Sequence, residues 1–318
     1  MGSSKKLKGY LLAALAAAAY GTNPAFAIPL YEDGMNVNSV LLFRYALGVP
    51  LLWMLMTLRK IPLSISNKEL FPAGILGVLM AISSLTLFES YQYMNSGVAS
   101  TLLFVYPIMV AVIMIFFFHE KIKVTLLICL GLMMVGLYLL MQPNNENGFS
   151  LYGCLLVMIS ALTYALYIVY VNISKVVSAI PTTKLLFYVL IFGSLVYLFM
   201  GAVGYGLTLP QRHFGWWNLL ALAIIPTILS LACTSAAIHI IGSTSTAIFG
   251  ALEPVTAVVL SVVVLNQELT VKEILGGLFI IAATTMVIGD RQVDKFILHV
   301  RKMFPKPMIH AFRKFKIK

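Results

Sequence analysis

One acidic side chain stands next to a proline inside a segment apolar enough to cross a membrane: Glu253, followed by Pro254. A charged group in hydrocarbon costs about 2.5–3.5 kcal/mol on insertion scales, so this glutamate should face a cavity or a partner. Pro254 has no N–H, so we expect the carbonyl group of Gly250, one turn earlier, to lose its helical donor and become a free acceptor. An acid beside an unpaired carbonyl predicts a site that binds a ligand or carries a proton. The alternative is a carboxylic acid that only hydrogen-bonds to a neighbouring helix.

A second acid and several tyrosines lie at depths that the aromatic belt of the membrane interface does not explain. Glu89 is expected either to bind a proton or substrate or to pair with Arg44, whose own role we expect to be structural. Spacings of three and four residues place several polar side chains on shared helix faces. The candidates for substrate binding or coupling are Glu253, Glu89, Tyr20, Asn23, Tyr93, Tyr164, Tyr167 and Gly250. The alternative for such polar faces is hydrogen bonding between helices.

The composition excludes a soluble domain. Hydrophobic residues make up 60% of the chain and charged residues 10%, and the mean hydropathy is +0.96, so one water-facing domain could not bury this much apolar surface. Residues 291–318 hold nine Lys or Arg against one acid, so most of the net charge of +11 belongs to this tail and indicates no nucleic-acid partner. The tail is expected to lie on anionic lipid or to be solvated. Cys129, Cys154 and Cys233 lie in apolar runs and are expected to be free thiols, with no disulfide, metal or cofactor.

A membrane-spanning helix needs about 20 residues, and this length divides the chain into ten predicted spans. They are residues 8–29, 38–58, 70–93, 97–118, 124–141, 151–173, 182–206, 216–238, 243–265 and 273–289. With a cytoplasmic N-terminus, the inner loops and termini hold 19 Lys or Arg, the outer loops hold 2, and Arg44 lies within a span. This asymmetry predicts a multi-pass protein of the cell membrane with both termini in the cytoplasm.

The pattern around Pro254 has a weaker earlier copy around Pro107, and we expect both prolines, which are about 147 residues apart, to break their helices. Aligning the two prolines also pairs Ser83 with Ser230. Five predicted spans separate equivalent positions, and because five is odd the second copy must enter the membrane from the opposite side. The predicted fold is an all-α membrane protein of ten transmembrane helices, arranged as two inverted five-helix repeats around a central cavity, an architecture that supports alternating access. The predicted units are residues 1–143, residues 144–290 and the basic cytoplasmic tail 291–318.

Several stretches of the chain match a known family. They are residues 19–27 (Ala-Tyr-Gly-Thr-Asn-Pro-Ala-Phe-Ala), Phe43-Arg44-Tyr45, Tyr106-Pro107 with His119-Glu120-Lys121, residues 160–167, and Leu252-Glu253-Pro254-Val255 with Asn266-Gln267-Glu268-Leu269. In this order, over about residues 8–289, the chain resembles the EamA-domain branch of the drug/metabolite transporter superfamily. The resemblance implies ten helices around a central cavity and transport of a small organic solute, often export of amino acids or other metabolites. Glu89 departs from the pattern, because family members often carry a small residue in the third helix.

Together these features predict a secondary transporter and not an enzyme: an exporter of amino acids or related neutral or aromatic solutes. A polyanionic cargo is disfavoured, because only Arg44 is available within the spans to bind one. Protons are the expected coupling partner, carried by Glu253 alone or by Glu253 and Glu89 together. The hairpins at residues 94–97 and 240–243 are expected to act as gates on opposite sides of the membrane. One alternative is an uncoupled facilitative carrier. The alternative of another class is a membrane-embedded enzyme acting on a lipid-like substrate, although the sequence contains no Asp-rich or His-Glu-x-x-His motif.

Overall fold

The computed structural model describes residues 3–118, 128, 131–132, 134–136, 138–139, 150–241, 249–250 and 252–288. Within these ranges every regular element is helical. The helices are α1 (Ser3–Gly21), α2 (Asn23–Glu32), α3 (Val37–Leu58), α4 (Asn67–Ser90), α5 (Ser96–Leu103), α6 (Tyr106–Phe118), α7 (Leu151–Ile173), α8 (Lys175–Ser178), α9 (Thr182–Met200), α10 (His213–Ala223), α11 (Ser230–Ile241), α12 (Leu252–Val263) and α13 (Val271–Ile288). Two π-helical turns, Gly201–Tyr205 and Ile224–Leu229, extend α9 and join α10 to α11.

Seven helical stretches of the described chain are long and apolar enough to cross a membrane. They are Lys6–Glu32, Val37–Leu58, Asn67–Ser90, Ser96–Phe118, Leu151–Val171, Thr182–Gly204 and His213–Thr234. The described parts of the last two spans, in α12 and α13, are shorter apolar helices. These segments correspond to nine of the ten predicted spans, and most of the other one, residues 124–141, lies outside the described residues. The prediction of an all-helical, multi-pass membrane protein is confirmed.

Some sequence predictions fall outside the described residues. Cys154 and Cys233 are free thiols, as expected, whereas Cys129 is not among the described residues. The basic tail 291–318 and half of the predicted gate at residues 240–243 are also outside them.

Polar side chains define where several helices begin. The side-chain oxygen of Asn36 accepts a hydrogen bond of 2.8 Å from the backbone N–H of Ser39 at the start of α3. Asn95 does the same for Gly97 at the start of α5, at 2.9 Å. The first N–H groups of a helix have no partner within it, so such caps fix the boundary between a span and its loop.

The helix breaks occur at matching positions of the two halves. The fourth span is interrupted between α5 and α6, with Pro107 in the first turn of α6, and Pro254 lies likewise in the first turn of α12. A proline fits there because the first N–H groups of a helix have no helical acceptor. The first span has an additional break at Thr22, between α1 and α2, where the Thr22 hydroxyl donates to the carbonyl of Ala19 at 2.6 Å.

Equivalent helices of the two repeats make matching contacts. Helix α4 packs along α7, where the hydroxyl groups of Ser83 and Ser160 lie 3.1 Å apart and each serine also donates to the other's backbone carbonyl. Helix α1 packs along α11, where Ser230 donates to the carbonyl of Ala16 at 2.9 Å. Ser83 and Ser230 are the pair that the repeat alignment predicts, and both hold neighbouring helices together.

Ion pairs join the two halves at both ends of the bundle. At one end the Lys184 ammonium lies 3.7 Å from the Glu69 carboxylate and donates to the carbonyl of Ser64. At the other end the Arg212 guanidinium lies 3.8 Å from the Asp33 carboxylate, which also accepts from the backbone N–H of Arg212 at 3.1 Å. Each pair connects segments that the predicted topology places on one face of the membrane, the inner face for the first and the outer face for the second.

Two large buried side chains fix how α3 is rotated against α4 and α9. The hydroxyl groups of Tyr45 and Ser84 lie 2.8 Å apart, and Tyr197 donates to the carbonyl of Ala81 at 2.8 Å. The rings of Tyr45 and Tyr197 pack edge to face at 5.2 Å. Because α3 is held in this way, the preceding residue, Arg44, is directed into the bundle, where it is buried.

Candidate functional site

Glu253 lies in the first turn of α12, where the backbone of α1 comes very close. A side-chain carbon placed on Gly21 would lie 2.5 Å from the carbonyl oxygen of Glu253 and 2.8 Å from Cβ of Thr256, so only glycine fits. Among the described residues, the carboxyl group of Glu253 has no hydrogen-bond or ion-pair partner. An unpaired, half-buried acid inside a membrane-spanning bundle is what a ligand or proton site requires.

The prediction of a free carbonyl at Gly250 is wrong. The backbone N–H of Glu253 donates to the Gly250 carbonyl oxygen at 2.9 Å. The chain tightens into a three-residue turn ahead of α12, and this turn replaces the donor that Pro254 cannot supply. The acid of the site is therefore not accompanied by an unpaired carbonyl at this position.

The charge of Glu253 acts on the phenol groups of four tyrosines: Tyr20, Tyr91, Tyr106 and Tyr164. They come from α1, from the residue after α4, from α6 and from α7, so both repeats contribute. The ring centroids of Tyr106 and Tyr164 are 4.8 Å apart in an edge-to-face contact. We call Glu253 and these four residues the tyrosine cluster.

Two further predicted residues lie against the tyrosine cluster. The ring of Tyr167 is parallel to that of Tyr164, with the centroids 6.0 Å apart. Asn23 is buried beside the break in the first span, where its amide nitrogen donates to the carbonyl of Tyr20 at 2.8 Å. Among the described residues, the buried side-chain oxygen of Asn23 has no hydrogen-bond partner.

Arg44 does not form the ion pair with Glu89 that was one expectation for both residues. Its guanidinium Nε donates to the hydroxyl of Thr227 at 3.1 Å, and its Cζ lies 5.3 Å from the centre of the Phe88 ring. The side chain is only 5% exposed. Its charge acts on Tyr20 and on other tyrosines of the bundle, so Arg44 belongs to the surroundings of the site.

Glu89 and Tyr93 lie outside the tyrosine cluster. Glu89 is the penultimate residue of α4, half-buried, and its charge acts on Tyr31. Tyr93 follows α4, is 44% exposed, and packs edge to face against Tyr152 at 4.8 Å. Helical spacing placed Glu89 and Tyr93 on one face of their own helix. In the structure, these two candidates are separate from Glu253.

The sequence reasoning missed Tyr106, Tyr91 and Thr227 as site residues. A signal for Tyr106 was present, because it precedes Pro107 as Glu253 precedes Pro254, and the two residues are related by the repeat. Tyr91 lies in a turn and Thr227 in a π-helical turn. Helical spacing could not place either of them.

A separate pocket of about 200 Å³ lies between α5, α12 and α13. Its lining is apolar and includes Val98, Val258 and Leu278. None of the residues of the tyrosine cluster lines it, so it is distinct from the candidate site. Within the described ranges, no group of three or more His, Cys, Asp or Glu side chains could hold a metal ion.

The fold and the site define a class: a polytopic membrane protein whose two helical halves enclose a buried cluster of aromatic and ionisable residues. The model of the EamA-like transporter family matches residues 7–142 and, a second time, residues 151–289. The chain therefore belongs to the EamA-like transporter family, as the sequence resemblance predicts.

Individual relatives and a solved structure agree with this assignment. An uncharacterized transporter of Synechocystis sp. is 29% identical over 211 residues, which are 63% of this chain and 61% of that protein's length. An uncharacterized transporter of Archaeoglobus fulgidus is 24% identical over 220 residues, 68% of this chain and 74% of the relative. A crystal structure of a protein with 15% sequence identity superposes with a TM-score of 0.62 and covers 91% of this chain and 99% of its own, which shows a shared fold.

Proposed function

We propose that this protein is a secondary transporter that exports a small organic metabolite, with amino acids or related neutral or aromatic solutes as its cargo. The observation that carries the proposal is the tyrosine cluster, in which an acid without a partner among the described residues acts electrostatically on tyrosines from both repeats, and Tyr106 and Tyr164 pack edge to face. Binding sites for small molecules combine apolar and aromatic walls with a few well-placed polar groups. Membership of the EamA-like transporter family supports a transport role.

The proposed cycle is alternating access with Glu253 as the proton carrier. Inverted repeats allow one half to rock against the other around a fixed site near the middle of the membrane. The breaks at Thr22, before Pro107 and before Pro254 lie beside this site and are suited to change angle during the movement. Glu89 is the second candidate carrier, and an uncoupled carrier is the alternative mechanism.

A set of hydrogen bonds supports residues 94–97 as one gate. The backbone N–H and the hydroxyl group of Ser96 both donate to the side-chain oxygen of Gln267, at 3.2 and 2.9 Å. Asn95 donates to the carbonyl of Glu268 at 3.3 Å. We call these contacts the 96–267 latch. It joins the start of α5, in the first repeat, to the turn between α12 and α13, in the second, on the predicted outer face.

Replacing Gln267 with Leu is expected to open the outer gate. The change removes two hydrogen bonds of about 1 kcal/mol each, so the balance between closed and open states should shift roughly 30-fold. The measurement is the rate at which a membrane-impermeant thiol reagent, added outside, modifies a cysteine placed at the buried Ala99 in a chain without native cysteines. The same replacement at the exposed Gln92 should leave the rate unchanged. An equal rate in the Gln267 variant and the parent chain would show that the latch does not hold the gate.

The proposed function is tested by flux in proteoliposomes. Labelled amino acids and other small metabolites are offered with and without an imposed pH gradient. Flux above empty vesicles that rises with the gradient would support proton-coupled transport, and flux indifferent to the gradient would support the uncoupled carrier. Chemical conversion of a lipid-like substrate without flux would favour the membrane enzyme.

A further inference from the structure

The pocket between α5, α12 and α13 opens sideways, in the gap between two consecutive helices. Within the described chain, α12 and α13 each pack against α5 but not along each other. The floor of the pocket includes the buried Val98 and Thr101 of α5, whereas its rim includes Val259 and Leu278, which are 52% and 55% exposed. These rim residues belong to the last two predicted spans, where an exposed apolar side chain faces lipid. The space, which we call the lateral pocket, is therefore continuous with the lipid-facing surface.

The lining of the lateral pocket suits an apolar occupant. Its polar side chain is that of Thr101, and this hydroxyl group already donates to the carbonyl of Gly97 at 2.8 Å. An apolar cavity of about 150 Å³ stays dry and binds a molecule such as benzene. The lateral pocket, at about 200 Å³, is larger. Its chemistry and size therefore favour hydrocarbon over water or a polar solute.

The lateral pocket is elongated in the direction of the helices. On α13 its lining extends from Ile274 to Ile281, a distance of about 10 Å along a helix. An acyl chain of a phospholipid lies in the same direction, because both the chain and the spanning helices run across the leaflet. The predicted topology places the start of α5 and the start of α13 at the outer face. The leaflet that adjoins the lateral pocket is therefore the outer one.

Glycines bring the helices together around the lateral pocket and leave it unfilled. A side-chain carbon on Gly97 would lie 2.6 Å from Oγ of Ser261, so α5 approaches α12 very closely. A side-chain carbon on Gly277, in α13, would meet Thr101 at 3.4 Å, an ordinary contact distance. Because α5 belongs to the first repeat and the other two helices to the second, an occupant contacts both repeats.

We propose that the lateral pocket binds one acyl chain of an outer-leaflet phospholipid, and that this chain stabilises the contact between the two repeats on the outer side. Leu269 lines the pocket and lies two residues after Gln267 of the 96–267 latch. The acyl chain and the latch thus act on the same contact. The pocket is distinct from the tyrosine cluster, so this inference depends neither on the substrate nor on proton coupling.

Photo-cross-linking tests the site directly. The full chain is reconstituted in phosphatidylcholine vesicles that contain a phosphatidylcholine with a diazirine on its acyl chain, and labelled residues are identified by mass spectrometry. Label is expected on residues 255–259 and 274–281, in excess of the label on Leu195 of α9. Leu195 is 53% exposed and so measures ordinary contact with lipid. Equal labelling of Leu195 and the pocket residues would overturn the site.

Two variants that fill the lateral pocket should abolish this excess. Gly277→Leu fills it from α13 and Val259→Phe from the exposed rim, and each should lower the label on the pocket residues at least about fivefold, because the added side chain takes the space of the acyl chain. Gly131→Leu is the control, since a side-chain carbon there meets no atom of the described chain within 4 Å. Wild-type labelling in both filled variants would overturn the site.

Thermal unfolding in detergent tests the stabilising role. Phosphatidylcholine added to delipidated wild-type protein should raise the thermal midpoint by about 5 °C, because a ligand that binds only the folded state stabilises it. The same addition should raise the midpoint much less in Gly277→Leu and Val259→Phe, whose pockets are filled. Equal increases in the wild-type protein and both variants would overturn this role. Neither readout requires flux, so failure of the proposed transport would leave the lipid site standing.

Discussion

Replacing Glu253 with Gln is expected to reduce pH-driven transport to the level of empty vesicles. Glutamine has nearly the same shape, but it cannot gain and lose a proton. The carboxyl group of Glu253 has no partner among the described residues, so the substitution breaks no ion pair within them and should leave the fold intact. The measurement is flux of the best substrate into proteoliposomes at several imposed pH gradients, with circular dichroism as a check on folding.

Two matched variants separate Glu253 from the other acids. Glu268→Gln changes an exposed side chain on the turn before α13 and should leave flux unchanged. Glu89→Gln tests the second candidate: normal proton dependence would restrict the carrier role to Glu253, and loss of coupling would mean that both acids take part. Unchanged proton dependence in the Glu253 variant itself would remove it from the role of carrier.

Replacing Gly21 with Ala is expected to disable the protein by forcing α1 away from α12. The added carbon would lie 2.5 Å from the carbonyl oxygen of Glu253 and 3.2 Å from the backbone N of Ala257. These are backbone atoms, which cannot move aside as a flexible side chain can. Overpacking of this kind costs about 1–3 kcal/mol, and here it should also displace Glu253 from the tyrosines. We expect a lower thermal midpoint in detergent and a loss of flux.

Gly74 offers the control for this prediction. It also lies within a helix, in α4, but a side-chain carbon there would meet the ring of Phe192 at 3.7 Å, an ordinary contact distance. Gly74→Ala should therefore keep both the thermal midpoint and the flux. If Gly21→Ala behaves like Gly74→Ala, the close approach of α1 to α12 does not matter for the site.

The sequence identified the acid at the centre of the candidate site but predicted its surroundings only in part. Glu253 was identifiable because a charged residue beside a proline in an apolar span has few explanations. Tyr20 and Tyr164 were identified by helical spacing, and the charge of Glu253 acts on both in the structure. The same spacing also grouped Glu89 and Tyr93, which lie elsewhere. Spacing identifies a shared face of one helix and does not identify the helix that this face meets.

The sequence alone determined the membrane class, the lengths of the spans, the positions of the prolines at the helix breaks and the internal repeat. The physical reason is that a bilayer requires about 20 apolar residues per crossing and a backbone whose polar groups are satisfied within the helix, and both conditions are local. Tertiary structure decided which polar groups meet. Arg44 bonds to Thr227, 183 residues away, and not to Glu89. Such partners depend on the rotation and depth of neighbouring helices, which are set by packing at positions such as Gly21 and Tyr45.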